Sequence, residues 1–230
     1  MSPSATPIRA SIFDLDGTLL DSLADLADSV NLILASYSFP THPREAYRDF
    51  IGDGVRSLCA RALPAESRHA ALLDAAVARF QEVYADRWNR LSRPYDGITA
   101  VLDQLTSAGV QLAVLSNKPH AFTVACVEHF FAAWRFDLIL GQREGVPRKP
   151  DAAAALQIAA QLGRRAQECV FVGDSVIDVA TGKNAGMRTV AVSWGFRPRQ
   201  ELFSAEPDLL IDRPSDLLQL PFASRPGPVT

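Results

Sequence analysis

Lysine is nearly absent from this chain. Of the 23 basic residues in 230, 20 are arginine, and only Lys118, Lys149 and Lys183 are lysine. The arginine- and alanine-rich usage reads most simply as genome base composition. Cysteine is sparse too: Cys59, Cys126 and Cys169 are odd in number, far apart and without a CxxC spacing. That pattern excludes a disulfide framework and a zinc site, and it fits a reducing compartment. No apolar run approaches the roughly 18–20 residues of a membrane span. Positive charge is not in excess: the formal net charge is −3, which argues against a general nucleic-acid or anionic-membrane binder. The start of the chain, Met1 to Arg9, is short and polar with two prolines. It is not the pattern of a signal peptide, so a cytoplasmic location is expected.

What is present is a globular composition, 48% hydrophobic, in a length that suits one domain or a core with a smaller insert. Arg9–Leu15 reads as a short buried strand ending in acidic and glycine residues. Ser22 followed by Asp25 is a capping-box pattern. Leu23, Leu26, Val30 and Ile33 then recur at helical spacing. After a break at Ser38–Pro43, a helix starting near Asp53 carries Val55, Leu58 and Ala62 on one face, and Ala70–Arg90 reads as a long helix. From Ser22 to Arg93 there is no strand candidate.

Beyond Pro94 and Gly97 helices and strands alternate. Strands are expected at Val110–Leu115, Phe136–Leu140, Glu168–Val172, Thr189–Ser193 and Asp208–Ile211. Helices are expected at Ile98–Ser107, Ala121–Phe131, Asp151–Leu162, Val176–Ala185 and Ser215–Leu220. Such alternation means right-handed βαβ units and a parallel sheet covered on both faces. The expected architecture is therefore α/β: a doubly wound, Rossmann-like core (residues 1–21 and 94–230) interrupted by an all-helical insert (residues 22–93). The tail Ala223–Thr230 is expected to fray.

In doubly wound sheets, ligands bind outside the carboxyl ends of the strands. The residues at those ends are Asp14, Asp16, Gly17 and Thr18; Ser116, Asn117 and Lys118; Lys149-Pro150, at the start of the next helix; and Gly173, Asp174, Ser175 and Asp178. Several carboxylates at one point repel unless a cation compensates. Hard oxygen donors of this kind suit Mg²⁺ with a substrate phosphate, and a carboxylate beside them can act as a nucleophile. Taken singly, each aspartate could be no more than a turn residue. Lys118, just past a strand, reads as solvated. Asp21 and Ser22 read as helix caps, and the four histidines lack paired ligand spacing.

FDLDGT (Phe13–Thr18), Ser116-Asn117, Lys149-Pro150 and GDSVID (Gly173–Asp178) resemble the four ordered motifs of the haloacid-dehalogenase-like hydrolase superfamily. The resemblance spans Ile8 to Leu220, and the helical insert resembles the cap domain many members carry. It implies that Asp14 is the nucleophile and Asp16 the general acid and then base. It further implies that Asp14, the Asp16 carbonyl, Asp174 and Asp178 hold Mg²⁺. Ser116, with Gly17, Thr18 and Asn117, would hold the phosphoryl oxygens, and Lys149 would neutralise charge. Asp16 argues against the metal-free dehalogenases, which lack that second carboxylate. The absence of lysine from Ser22–Arg93 argues against phosphonate hydrolysis, which needs a cap lysine.

Within the superfamily, IGDGVRSLCARAL (Ile51–Leu63), SNKP (Ser116–Pro119), GDSVIDVATGKNAGM (Gly173–Met187) and WGFRPRQEL (Trp194–Leu202) are similar to runs of the phosphoglycolate phosphatase family. One departure is DAAAAL after Lys149-Pro150, where that family has a further proline; Asp151 can cap the helix instead. The resemblance implies a small phosphorylated metabolite as substrate, 2-phosphoglycolate first, and a monomer or homodimer. Sugar or amino-sugar phosphates, nucleotides, pyrophosphate and a β-phosphoglucomutase-like isomerisation remain open. Gly52, Asp53, Gly54 and Arg56 are the expected specificity residues. A helix starting there offers free N–H groups to an anion, and Arg56 could pair with a substrate carboxylate.

Overall fold

The computed structural model describes residues 6–223. The chain enters on β1 (Ala10–Phe13), whose four side chains are all buried. A tight turn leads into β2 (Leu20–Asp21), then four helices: α1 (Leu23–Ser36), α2 (Tyr47–Phe50), α3 (Val55–Ala62) and α4 (Ala70–Ala85). The chain returns on β3 (Arg93–Pro94), which pairs antiparallel with β2. From there elements alternate: α5 (Ile98–Ser107), β4 (Gln111–Pro119), α6 (His120–Phe130), β5 (Leu138–Gln142), α7 (Ala153–Gln161) and β6 (Cys169–Gly173). The series ends with α8 (Val176–Asn184), β7 (Arg188–Val192), α9 (Arg199–Ser204), β8 (Leu209–Ile211) and a 3₁₀ turn at Pro214–Gln219.

Six strands form one parallel sheet in the order β5-β4-β1-β6-β7-β8. Burial on both faces explains why β1 and β6 are near-continuous apolar runs rather than alternating ones. The chain leaves β1 toward β4 on one side and later adds β6 on the other. That reversal of strand order opens a crevice at the carboxyl end of β1. The doubly wound α/β architecture expected from the alternation is what the chain adopts.

The helices between β2 and β3 bury their own apolar cluster, including Leu26, Val30, Ile33, Tyr47, Phe80 and Tyr84. One member of that cluster, Phe196, comes from the loop after β7. Among the described residues no helix is long and apolar enough to cross a membrane. All three cysteines are free and buried.

Several local expectations are corrected. Ser22 precedes α1 but makes no side-chain cap; its hydroxyl donates to Asp16 Oδ1 instead, at 2.6 Å. Asp25 leaves the capping box to accept from Leu91 N–H, Ser92 N–H (2.8 Å) and Ser92 Oγ–H (2.7 Å). A buried carboxylate fed by several donors outcompetes a local cap. The same contact ends α4 at Ala85 rather than Arg90, because the chain must turn to bring Leu91 and Ser92 back to α1. The helix expected near Asp53 starts at Val55, after Gly54. Strands β2 and β3 and helix α9 were not expected. Of the tail expected to fray, only Ala223 is described, and its N–H bonds Ile8 O at 2.8 Å; residues 224–230 lie outside the described residues.

Candidate active site

The crevice at the end of β1 is a cleft floored by strand ends and roofed by the helical insert. Asp14 follows β1, and its N–H is tied to Val172 O of β6 at 2.9 Å. Lys149 reaches in from the segment before α7. Its ammonium donates to Asp14 Oδ1 (2.7 Å) and Asp178 Oδ1 (2.6 Å). The Lys149 side chain is only 3% exposed, so both pairs are shielded from solvent.

Asp178 is fixed by the start of α8. Ser175 N–H and Oγ–H donate to Asp178 Oδ2 at 3.1 and 2.5 Å, and Ser175 Oγ accepts from Asp178 N–H. This capping box leaves Oδ1 free to face Lys149. Asp174 is held through Oδ2 by Phe196 N–H at 2.7 Å. Two glycines make room for it. Gly17 has φ +91°, and a Cβ there would press into the Asp174 carboxylate; a Cβ on Gly195 would strike Asp174 and the Gly17 carbonyl.

One carboxylate oxygen each from Asp14, Asp174 and Asp178 lies within 4.8 Å of the other two. Burial pushes the Asp14 carboxyl up to about 7; Lys149 pulls against this, and Asp178 adds to it. Burial also pushes Asp174 well above the usual carboxylate range, reinforced by Asp178 and Asp14. Burial works against the charged form of Lys149, but Asp14 and Asp178 outweigh it and raise its pKa. Three acidic groups around one ammonium leave negative charge uncompensated in a buried space. An all-oxygen donor set with that surplus fits a hard divalent cation.

The second motif is placed by β4. Ser116 lines the cleft floor. Asn117 braces Lys149: its Oδ1 accepts from Lys149 N–H (3.0 Å), while its Nδ2 donates to Lys149 O (3.2 Å) and to Gly52 O of the insert (3.0 Å). Lys118 is not solvated. Its side chain is 3% exposed, and its ammonium donates to Asp16 Oδ1 (2.8 Å), Asp16 Oδ2 (3.1 Å) and Tyr84 Oη (2.8 Å). Burial opposes its charge, but Asp16 prevails and holds its pKa well above that of a free lysine.

Three expected positions fall elsewhere. Thr18 lies behind the cleft beside a smaller apolar cavity with Phe13, Val172 and Trp194. Its hydroxyl is buried without a partner, because the Leu15–Leu20 turn carries it to that side. In the insert, Gly52 and Gly54 line the cleft. Arg56 does not: it pairs with Asp74 of α4, both side chains being largely exposed. Asp53 likewise pairs outward with Arg61. The guanidinium at the cleft is Arg197, after β7, which donates to Arg48 O (2.8 Å) and Ile51 O (2.7 Å) of the insert. Asp151 accepts from Ala153 N–H at the start of α7, at 2.8 Å.

A doubly wound sheet whose switch point gathers aspartates from β1 and β6, a lysine and a strand-end serine defines a class, and sequence comparison gives the same answer. The family model for haloacid dehalogenase-like hydrolases matches residues 11–192, and the chain belongs to that family. It is 36% identical over 214 residues to phosphoglycolate phosphatase 1 of Pseudomonas aeruginosa, covering 91% of this chain and 78% of that protein. It is 32% identical to the phosphoglycolate phosphatase of Pectobacterium atrosepticum, covering 94% and 93%. A crystal structure of a predicted phosphoglycolate phosphatase from Haemophilus somnus superposes with a TM-score of 0.86 at 28% identity, covering 92% and 97%.

Proposed function

We propose that this protein is a Mg²⁺-dependent phosphomonoester hydrolase working through an aspartyl phosphate, with 2-phosphoglycolate as substrate. The observation that carries the reaction is the Asp14–Lys149–Asp178 arrangement. Lys149 engages Asp14 Oδ1, which leaves Oδ2 as the attacking oxygen. Asp14 forms the new bond to phosphorus as the ester P–O bond breaks. Asp16 gives its proton to the departing alcohol oxygen. It then takes a proton from the water that attacks phosphorus, which releases Asp14 and inorganic phosphate. The Ser116 hydroxyl and N–H groups near Asn117 hold the phosphoryl oxygens, and Lys149 offsets the charge that spreads over them; the Gly17 N–H, expected to join them, is already committed to Leu20 O at 2.9 Å.

Asp14, Asp174, Asp178 and the Asp16 carbonyl would hold the metal ion, with Asp178 direct or through water. When bound it supplies Lewis-acid neutralisation of the phosphoryl oxygens. The helical insert between residues 22 and 93 acts as a cap, closing the cleft with Leu26, Ile51, Val55, Leu58 and Phe80 and so excluding water.

The substrate reading rests on the relatives named above and on the cap edge. Gly54 and Val55 bring the amino end of α3 to the cleft beside Arg197, a suitable place for a second anionic group such as a carboxylate. The cleft suits a small metabolite of the cytoplasm. The test is a phosphate-release screen with Mg²⁺ over 2-phosphoglycolate, sugar phosphates, nucleotides and pyrophosphate. Highest kcat/KM on 2-phosphoglycolate is expected. A sugar phosphate isomerised without phosphate release would identify a mutase instead.

A further inference from the structure

Lys118 and Tyr84 have no part in the reaction just described, yet they form a buried chain that ends on Asp16. Tyr84 belongs to the cap helix α4 and lines the cleft. It stacks on Phe80 of the same helix with ring centroids 5.0 Å apart, and it meets Phe122 of the core helix α6 edge-on, also at 5.0 Å. Its ring and hydroxyl are therefore set by both halves of the molecule at once. The Lys118 ammonium lies 4.8 Å from the centre of the Tyr84 ring as well as 2.8 Å from its oxygen.

An ammonium has three donors and no acceptor. Two of the Lys118 donors go to the Asp16 carboxylate and the third to Tyr84. Ser22, between β2 and α1, adds the 2.6 Å hydrogen bond to Asp16 Oδ1. Oδ1 thus receives two short hydrogen bonds, whereas Oδ2 receives one longer one at 3.1 Å.

We infer that Lys118, Ser22 and Tyr84 are positioning residues for Asp16: they pin Oδ1 and leave Oδ2 to carry the transferred proton. Tyr84 acts through Lys118, as the third acceptor that fixes the direction of its ammonium. The inference rests on the proposed role of Asp16 and deepens it.

The test exploits leaving groups. An alkoxide leaving from 2-phosphoglycolate or β-glycerophosphate needs a proton, whereas acetate leaving from acetyl phosphate does not. The quantity kcat/KM covers every step through loss of the leaving group. Tyr84→Phe removes only the hydroxyl. It is expected to lower kcat/KM about tenfold for the alkyl phosphates and less than about threefold for acetyl phosphate. Ser22→Ala, which removes the other hydrogen bond to the same carboxylate, is expected to show the same split and serves if Tyr84→Phe folds poorly. A role in fold or binding alone would depress all three substrates equally, and equal losses in both variants overturn the inference. A wild-type protein that releases phosphate from none of the three overturns the phosphatase reading itself. An active wild type whose variants show no split overturns only the positioning role.

Discussion

The cleft and the outer face of the helical insert use charge in opposite ways. In the cleft, buried lysines meet aspartates: Lys149 with Asp14 and Asp178, Lys118 with Asp16, every lysine side chain 3% exposed. On the outer surface of the insert arginines meet aspartates, Arg56 with Asp74 and Arg61 with Asp53, open to solvent at least in part. A buried pair loses its hydration and must be satisfied by its partners, so removing one member strands the other. An exposed pair is screened by water and contributes little. The difference also accounts for the residue type. The ammonium is a compact point charge that can sit between two carboxylates, as Lys149 does, whereas the guanidinium is a larger planar fork that needs its acceptors spread in one plane. In a chain with 20 arginines and three lysines, the two buried lysines stand at the cleft, and Lys183 donates to the Ala205 carbonyl at an exposed position.

The sharpest way to break this contrast is at its centre. Asp14→Asn removes the proposed nucleophile and is expected to lower kcat at least about a thousandfold with the fold intact. Lys149→Arg keeps the charge, yet is expected to cost about a hundredfold in kcat, because a guanidinium cannot occupy a space bounded by two carboxylates at 2.6–2.7 Å. Steady-state kinetics beside a circular-dichroism melt checks both. Near-normal turnover by Lys149→Arg would erase the distinction between the two kinds of pair.

Metal removal probes the same surplus of negative charge. EDTA is expected to abolish turnover and added Mg²⁺ to restore it. The effect should depend on pH with a definite sign. Burial raises Asp14 to about 7, above its ordinary 3.8, so the metal-free fold binds a proton the unfolded chain lacks. Its stabilising contribution is full below about pH 4 and is lost as pH rises through about 7. Mg²⁺ must displace that proton at low pH but meets a free carboxylate at high pH. The rise in Tm on adding Mg²⁺ should therefore grow from pH 5.5 to pH 8. Asp174, also raised by burial, acts in the same direction, so an equal rise at both would mean that neither carboxylate binds the ion.

Asp25 is the intermediate case, a buried carboxylate fed by backbone and hydroxyl donors of Leu91 and Ser92. It ties α1, the first helix of the insert, to the segment re-entering the core. Asp25→Ala strands those donors and is expected to cost about 3 kcal/mol in urea unfolding. Asp25→Asn, which keeps one acceptor oxygen, should cost roughly half as much. A loss no larger than that of an exposed substitution would show that burial alone does not make the carboxylate matter.

The sequence revealed the sheet and the strand-end aspartates because both follow from local patterns: alternating apolar runs, then acidic and glycine residues where each run stops. It did not reveal what depends on distant partners. Asp25 looked like half of a capping box because its true donors lie 66 and 67 residues away. Lys118 looked solvated because nothing local says that Tyr84 will come down on it. The pair β2 and β3 was invisible since two residues carry no alternation. Thr18 belongs to a genuine motif, yet the turn places its hydroxyl in an apolar cavity behind the cleft. Arg197 stood in a run noted for its resemblance, but only the folded loop shows that it clasps the carbonyls of Arg48 and Ile51.

Arg56 sits at the mild end of the contrast. Its place in the first turn of α3, just after Gly52-Asp53-Gly54, suggested a grip on the substrate carboxylate. A helix turn offers several directions, however, and the side chain takes the one toward Asp74 on the neighbouring α4, away from the cleft. Arg56→Ala is therefore expected to change KM for 2-phosphoglycolate less than about twofold and stability by no more than about 0.5 kcal/mol. Arg197→Ala, at the cleft edge, should raise KM for that substrate more than for a neutral phosphate ester. If Arg56→Ala instead raises KM selectively for the carboxylate-bearing substrate, the arginine must swing inward on binding. The exposed pair with Asp74 would then be its resting place, and the line between working and surface charges would have to be redrawn through the cap.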